Sequence, residues 1–457
     1  MEPRSRSFDL GPPARPAAPA SPTLRRAAVL LCLIPAAYLL ATVAYALLNA
    51  GEFASDLPRL LRYVVVPALI GVALLLAGVR LPRAIALNVG IVAVSVLATL
   101  FLFETWLTLR LLPRQGNVVG VVDAEVGLDA YRMNLPPAYT IKALNAELGV
   151  AELSRARLSA VPDQPVMLCS MDGQPITYRA DAYGFRNPPG TDHAAARIMV
   201  LGDSFVEGLC LPDGAGVIGQ LRGRVTGPVV NTGSRGAGPL FELAVLGRYG
   251  PVFRPPITLM AFFEGNDWEN LQNETQASWL AGAMDPHADF GPPGWTAADL
   301  QDAGSVISGW WAQGAASVEE LFRRQSMLRN YLALANTAQV LGLHYPKAMA
   351  PNPDYAPLLD RAVGIAQGWG GRLVIVYIPA HDRFAGLFPH DFVSEDLRRM
   401  VHDAAAGAGL AVIDLTEAFA RHPDPTSLYA PDSHFSTAGA VLAADEIAAG
   451  LARLPQP

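Results

Sequence analysis

The sequence is short of charge. Only 16% of its 457 residues are Asp, Glu, Lys or Arg, whereas 51% are hydrophobic, which is too apolar for an ordinary soluble protein. Acidic residues outnumber basic ones, 41 against 34, for a formal net charge of −7. With no basic run and no RNA-binding motif, a nucleic-acid partner is not expected. The apolar excess lies near the N-terminus, which indicates attachment to a membrane.

Cysteine is scarce too, with three in the chain, too few for a disulfide scaffold. Cys32 lies in an apolar segment, which leaves Cys169 and Cys210 as the one pair that could form a bridge, in an oxidising compartment. Two unpaired thiols are the alternative, because the sequence does not give their separation. The histidines show no spacing typical of metal ligands. We therefore expect neither a metal nor another cofactor.

Three long apolar segments follow a tail rich in Pro, Ala and Arg. The tail, residues 1–26, is expected to be disordered and cytoplasmic. The apolar segments are long enough to cross a bilayer, although the second is short; they lie at residues 27–50, 63–79 and 84–109. Together they predict a membrane region of three transmembrane helices at residues 27–112, with the lipid bilayer as a partner.

Arginine residues favour one orientation of these spans. If the chain crosses the membrane three times, seven arginines lie on one side and four on the other. The seven are Arg4, Arg6, Arg15, Arg25, Arg26, Arg80 and Arg83, and the four are Arg59, Arg62, Arg110 and Arg114. Because positive residues are enriched on the cytoplasmic side, we expect a cytoplasmic N-terminus. An odd number of spans then places the rest of the chain outside. The expected location is the cell inner membrane, multi-pass, with a periplasmic or extracellular globular domain.

After a lead-in segment at residues 113–192, apolar runs alternate with helical stretches. Five runs predict strands, at Ile198–Leu201, 228–231, Ile257–Phe263, Arg372–Ile378 and 411–415. Such alternation is typical of a parallel sheet covered on both faces, so residues 193–457 are expected to form an α/β domain.

An insertion interrupts this domain at about residues 269–370. It contains a predicted helical stretch at residues 317–341 and four tryptophans: Trp279, Trp295, Trp310 and Trp311. Aromatic side chains beside a binding site often stack on sugars, but core packing of a helical cap explains them as well, and packing is favoured.

Polar blocks follow the first three strands and precede the last helix. Ser204 in Gly-Asp-Ser-Phe lands on a strand-to-helix turn, where open α/β folds place their ligands and where helix N–H groups can hold an anion. The other blocks are Asn231-Thr-Gly-Ser-Arg-Gly236, Glu264-Gly-Asn-Asp267 and Asp432-Ser-His434. A serine at such a turn is equally explained as a helix N-cap. The prediction of a functional site therefore rests on all four blocks together.

In these four blocks, in this order, residues 183–454 resemble the SGNH (GDSL) hydrolase superfamily. The resemblance implies a flavodoxin-like three-layer α/β/α domain with a parallel sheet. It also implies that Ser204 is the nucleophile and His434 the general base, with Asp432 orienting the imidazole. The implied oxyanion hole consists of the N–H groups of Ser204 and Gly233 and the side-chain amide of Asn266.

Two neighbouring aspartates have structural roles in this reading. Asp203 would hold the turn, and Asp267 could either assist the chemistry or cap the segment that follows it, with capping favoured. The chain departs from the family pattern in two places. Glu264 stands where glycine is common, which puts the local turn geometry in doubt, and one residue rather than two separates Asp432 from His434.

The expected function is that of a membrane-anchored serine esterase. Its substrate would be an acylated carbohydrate or another small ester, with acetyl groups on cell-envelope or extracellular glycans favoured. An O-acyltransferase of a polysaccharide could use the same triad and would need a membrane acyl-donor partner. A non-catalytic glycan-binding assembly protein is the other alternative, because a fold does not imply activity.

Overall fold

The structure, a computed structural model, describes residues 22–54, 57–111, 128–137, 139–171, 174–312, 327–343, 349–386 and 391–454. The chain divides into two compact units with the boundary after Leu102, and each unit is described by itself. Most of the predicted tail, the first part of the lead-in, and residues 313–326 and 344–348 of the insertion lie outside the described residues.

The first unit consists of apolar helices. They are α1 (Pro22–Leu48), α2 (Ala50–Phe53), α3 (Leu57–Leu60), a π-helical turn (Leu61–Val65), α4 (Val66–Arg80) and most of α5 (Arg83–Leu111). Within the described residues, three segments are long and apolar enough to cross a membrane: Thr23–Leu48, Leu57–Arg80 and Arg83–Leu109. They coincide with the three predicted spans, the second starting earlier because the π-helical turn continues it. Their outward-facing side chains are apolar, as in a membrane anchor.

The lead-in is more regular than the sequence predicts. Helix α6 (Ile141–Glu147) begins at Thr140, whose hydroxyl accepts the N–H of Ala143 at 3.2 Å. Strands β1 (Pro165–Met171) and β2 (Gln174–Arg179) then pair as an antiparallel hairpin. Its apolar face is buried, so the segment is part of the globular unit rather than a loose connection.

A five-stranded parallel sheet forms the centre of the second unit. Its strands are β3 (Ile198–Leu201), β4 (Val229–Asn231), β5 (Ile257–Phe263), β6 (Arg372–Ile378) and β7 (Ala411–Asp414), each within one residue of its predicted bounds. The order is β4-β3-β5-β6-β7, and all neighbouring pairs are parallel. Because β3 lies between β4 and β5, the carboxyl ends of these three strands meet at one edge.

Helices cover both faces of this sheet. In chain order, the helices of this unit after α6 are α7 (Ser204–Glu207), α8 (Val217–Arg222), α9 (Pro239–Phe253), α10 (Asp267–Glu274), α11 (Ser278–Ala281), α12 (Ala297–Ala312), α13 (Met327–Leu332), α14 (Ala335–Val340), α15 (Tyr355–Gln367), α16 (Asp391–Gly407), α17 (Thr416–Ala420) and α18 (Thr437–Arg453).

Alternate residues of β3 belong to two different cores. Met199 and Leu201 pack with α9 and α15 on one face, whereas Ile198 and Val200 pack with α8 and α18 on the other. This is the period-two pattern of a strand buried on both sides. The predicted three-layer α/β/α arrangement is confirmed.

The tryptophans of the insertion are packing residues. Trp279, Trp310 and Trp311 are 6–8% exposed. The ring of Trp310 stacks on Tyr139 with centroids 4.1 Å apart, and Trp311 Nε1 donates to the carbonyl of Asn134 at 2.7 Å. Core packing, the explanation favoured from the sequence, therefore accounts for these three side chains.

Candidate active site

Ser204 lies where β3 ends and α7 begins. The buried strand stops at Leu201, and after Gly202 and Asp203 the chain enters the helix. Asp203 Oδ1 accepts the N–H of Phe205 at 2.9 Å, which satisfies a donor at the helix N-terminus. Asp203 therefore occupies the turn-holding position predicted for it, and Ser204, 6% exposed, is held at the carboxyl end of a central strand.

His434 reaches Ser204 from the loop that precedes α18. A hydrogen bond from the N–H of Ala430 to the carbonyl of His434, 2.7 Å long, closes this loop. His434 Nε2 lies 2.8 Å from Ser204 Oγ. The other ring nitrogen, Nδ1, lies 3.4 Å from Asp432 Oδ2, an electrostatic contact longer than a well-formed hydrogen bond. The structure thus brings the three predicted side chains together.

Charge around His434 favours its protonated form. Burial alone would lower the pKa of the ring, but the carboxylates of Asp432 and Asp203 outweigh burial and raise the pKa of His434. Burial pushes the pKa of Asp432 upward, yet His434 outweighs it and the net shift is downward. Burial raises the pKa of Asp203 to about 6. An imidazole that readily accepts a proton beside a hydroxyl suits general-base catalysis.

Asn266 stands at the end of β5, immediately before α10. Its side-chain amide makes no hydrogen bond to the described residues, and its Oδ1 is buried, so the amide is available to a ligand. Asp267 is fully buried, and its Oδ2 accepts the N–H of Phe263 at 2.7 Å. Asp267 is structural, but it ties the turn back to β5 rather than capping the segment that follows.

Glu264, the departure from the family pattern, is buried in an ion pair. Arg383 donates from Nη2 to Glu264 Oε2 at 2.6 Å, and both side chains are 2–3% exposed. The hydroxyl of Tyr377 and the N–H of Ala380 also donate to Glu264, at 2.6 and 2.9 Å. These bonds fix the turn after β5 with glutamate in place of glycine at position 264, and Asn266 keeps its place at the strand end.

The loop after β4 contains both glycines of the Asn-x-Gly-x-x-Gly block. The N–H of Gly233 donates to Asn231 Oδ1 at 2.8 Å, so it is not available to a substrate oxygen, and the structure does not support the oxyanion role predicted for it. The N–H groups of Ser234 and Arg235 are also bonded. The N–H of Gly236, a residue with φ of 73°, has no acceptor among the described residues.

Two further carboxyl groups are buried near Asp203. Both oxygens of Glu242, on α9, and Oδ1 of Asp267 have no hydrogen-bond partner in the described part of the chain. Burial raises the pKa of Glu242 well above its usual value, and the nearby carboxyls of Asp267 and Asp203 raise it further. Burial likewise raises the pKa of Asp267 well above its usual value. Burial therefore favours the protonated form of both groups, since an uncompensated buried charge is costly.

A disulfide supports the site from the lead-in. Cys169 of β1 is bonded to Cys210, which follows α7 after Gly208 and Leu209. Of the two states that the sequence left open, the structure has the paired one. The bond joins the end of the helix that begins at Ser204 to the β1–β2 hairpin.

No protein-family model matches the chain, and no curated protein matches it. Solved structures similar to it include lipolytic and SGNH-type hydrolases. A member of the lipolytic protein G-D-S-L family from Veillonella parvula is 15% identical, with 57% of this chain and 100% of that chain covered and a TM-score of 0.31. The lipase/acylhydrolase from Enterococcus faecalis is 14% identical, with 56% and 95% covered and a TM-score of 0.31. These likenesses are remote, and the functional assignment rests on the geometry of the site.

Proposed function

We propose that the chain is a serine esterase that works through an acyl-serine intermediate. The observation that carries the proposal is the 2.8 Å contact between Ser204 Oγ and His434 Nε2. A hydroxyl in contact with an imidazole that is itself paired with a carboxylate is the arrangement that activates a serine nucleophile. Asp432 holds the tautomer of His434 and stabilises the imidazolium; we expect its 3.4 Å contact to shorten in the substrate complex, as catalytic hydrogen bonds often do.

The reaction begins with attack of Ser204 Oγ on the ester carbonyl carbon, while the hydroxyl proton passes to His434 Nε2. The carbonyl oxygen becomes an oxyanion, and the donors proposed for it are the N–H group of Ser204 and the side-chain amide of Asn266. Collapse of the tetrahedral species breaks the bond to the alcohol oxygen, which takes the proton from His434 and leaves. Water then attacks the acyl-serine, gives its proton to His434, and the acid is released as Ser204 regains a proton.

The substrate class follows from where the site is expected to be. The three apolar helices fit a membrane anchor, and the arginine distribution favours an N-terminus in the cytoplasm. The bond between Cys169 and Cys210 suits an oxidising compartment. These observations support a catalytic domain on the outer side of the cell inner membrane, acting on ester-linked acyl groups, of acetyl size, on cell-envelope or extracellular glycans.

The test uses the full chain in detergent micelles with a chromogenic acetate ester. We expect hydrolysis by the wild-type protein and its loss in Ser204→Ala, with the same thermal unfolding in both. Trapping the acyl-serine by mass spectrometry and then offering water and glycans as competing acceptors separates hydrolysis from O-acyl transfer by the identity of the product. A folded wild-type protein that hydrolyses no ester and forms no acyl-serine would contradict the proposal and favour a glycan-binding role.

A further inference from the structure

Glu104 lies within the third apolar span, yet its carboxyl group binds a helix of the insertion. The end of α5, from Phe103 onward, belongs to the second unit, and Glu104 is fully buried there. Its Oε2 accepts the N–H and the hydroxyl of Thr337 at 2.7 and 2.8 Å. Its Oε1 accepts the side-chain amide and the N–H of Asn336 at 2.8 and 3.2 Å. Both residues lie in the first turn of α14, so Glu104 binds this helix to the span.

Other side chains of the span contact the same two helices of the insertion. The hydroxyl of Thr105 lies 2.8 Å from that of Tyr331 on α13. The side-chain amide of Asn336 also donates to Thr108 Oγ1 at 3.3 Å. A polar or ionisable group within a span is costly unless it is paired, and α13 and α14 supply partners to the last two turns of the span.

The position of Glu104 along α5 sets the depth of this contact. The apolar span ends at Leu109, five positions later, or about 7.5 Å along a helix. Trp106, 50% exposed, lies between the two, and tryptophan is enriched where a bilayer meets water. Helices that lie in the surface of a bilayer are buried about 5–10 Å into it. Helices α13 and α14 contact the span at that depth.

The surface of this part of the insertion is apolar. Residues 327–343 contain one charged residue, Arg329. Four large apolar side chains of the segment are 38–53% exposed: Leu328, Leu332, Val340 and Leu343. Exposed apolar surface of this kind is typical of a site that contacts a membrane or another protein.

The globular domain holds the other end of α14. Gln339 Nε2 donates to Asp382 Oδ1 at 3.3 Å, and a Cβ atom at Gly386 would lie 2.7 Å from the Cα of Gly342. Asp382 and Gly386 belong to the loop that follows β6, at the carboxyl edge of the sheet. Helix α14 is thus held between the end of the span and this loop, which gives its exposed side chains a defined place.

We propose that α13 and α14 form a membrane-surface element, whose exposed apolar side chains contact lipid at the edge of the bilayer. The occupant is lipid because the apolar surface continues directly from an apolar span and contacts it at the depth of the bilayer surface. Glu104 is the anchor of this element, since its four hydrogen bonds hold the start of α14 at that depth. The proposal does not depend on the esterase function.

A fluorescent label on the full chain in lipid vesicles tests this proposal. Leu328→Cys and Val340→Cys, each in a Cys32→Ser background, accept one NBD fluorophore, because Cys169 and Cys210 are bonded to each other. The vesicles contain phosphatidylcholine and phosphatidylglycerol, with or without phosphatidylcholine brominated near the start of its acyl chains. We expect brominated lipid to quench both labels at least about twofold more strongly than a label at position 252.

Val252→Cys is the matched control. Val252 is 40% exposed and lies near the end of α9, shortly before β5 begins, so it is close to the amino edge of the sheet. The loop that holds α14 is at the opposite edge. Quenching of either insertion label no stronger than that of the control would overturn the proposal. Blue-shifted emission without quenching would also overturn it, because protein, such as a second copy of the chain, would then cover the surface.

Glu104→Ala, combined with the label at position 340, tests the anchor. The donors at the start of α14 lose their acceptor, so we expect the label to lose at least about half of its quenching. Glu147→Ala, at an exposed position of α6, should leave the quenching unchanged. Unchanged quenching in Glu104→Ala would overturn the role of Glu104. If that variant does not enter the membrane, the labels on the chain with Glu104 intact still decide the proposal. No readout uses ester hydrolysis, so failure of this proposal and failure of the esterase proposal are distinguishable.

Discussion

The buried carboxyl of Glu242 predicts how stability depends on pH. Its pKa in the folded chain is raised well above the ordinary value of 4.5, so the folded chain keeps a proton that the unfolded chain loses. As pH rises above about 4.5, the free energy of unfolding therefore falls by about 1.4 kcal/mol per pH unit for this group, until pH passes its folded pKa. Glu242→Gln keeps the shape of the side chain and removes this titration.

The variant should therefore be more stable relative to wild type at pH 8 than at pH 6. The upper limit of the difference is about 2.7 kcal/mol, or about 4 °C in the unfolding midpoint. Thermal unfolding of the full chain in detergent, followed by tryptophan fluorescence at both pH values, measures it. Glu417→Gln on α17, where the glutamate side chain is 73% exposed, is the control and should follow wild type. Unfolding midpoints that change equally with pH in wild type and Glu242→Gln would show that Glu242 is not held protonated by the fold.

Three further outcomes concern the site and its support. Asn266→Ala should lower kcat by about 10²- to 10³-fold in steady-state assays, with unfolding unchanged, because an oxyanion donor is lost; a wild-type kcat would exclude that role. Asp432→Asn should lower kcat by about 10²- to 10⁴-fold. It should also move the acidic limb of the pH–rate profile to lower pH, because Asp432 raises the pKa of His434 and activity needs the neutral ring. Replacing Cys169 and Cys210 by alanine removes a disulfide between residues 41 positions apart and should lower the free energy of unfolding by about 2–4 kcal/mol. Wild type in reductant should show the same fall in the unfolding midpoint.

Much of the fold could be predicted because its signals are local. Each strand of the parallel sheet is an uninterrupted apolar run, buried on both faces, and Gly202 and Asp203 mark the end of β3. The β1–β2 hairpin was missed because its strands contain prolines and lack a clear alternation of polar and apolar residues. Its stability comes from packing against distant parts of the chain.

The polar contacts around the site could not be predicted, because their partners are far apart in sequence. Glu264 and Arg383 are separated by 119 positions, and each alone is typical of a solvated surface residue. The hydrogen bond that occupies the N–H of Gly233 is local by contrast. The carboxamide of Asn231 turns back to bind the N–H of Gly233, and only coordinates reveal that bond.

The order of Ser204 and His434, 230 positions apart, has a consequence for biosynthesis. A ribosome makes the proposed nucleophile early and the proposed base near the end of the domain, so a nascent or truncated chain would carry a serine without the imidazole that deprotonates it. Such a chain would be inserted in the bilayer yet chemically silent. Activity would then begin only when translation has passed the final histidine and the loop before α18 has folded onto the finished sheet.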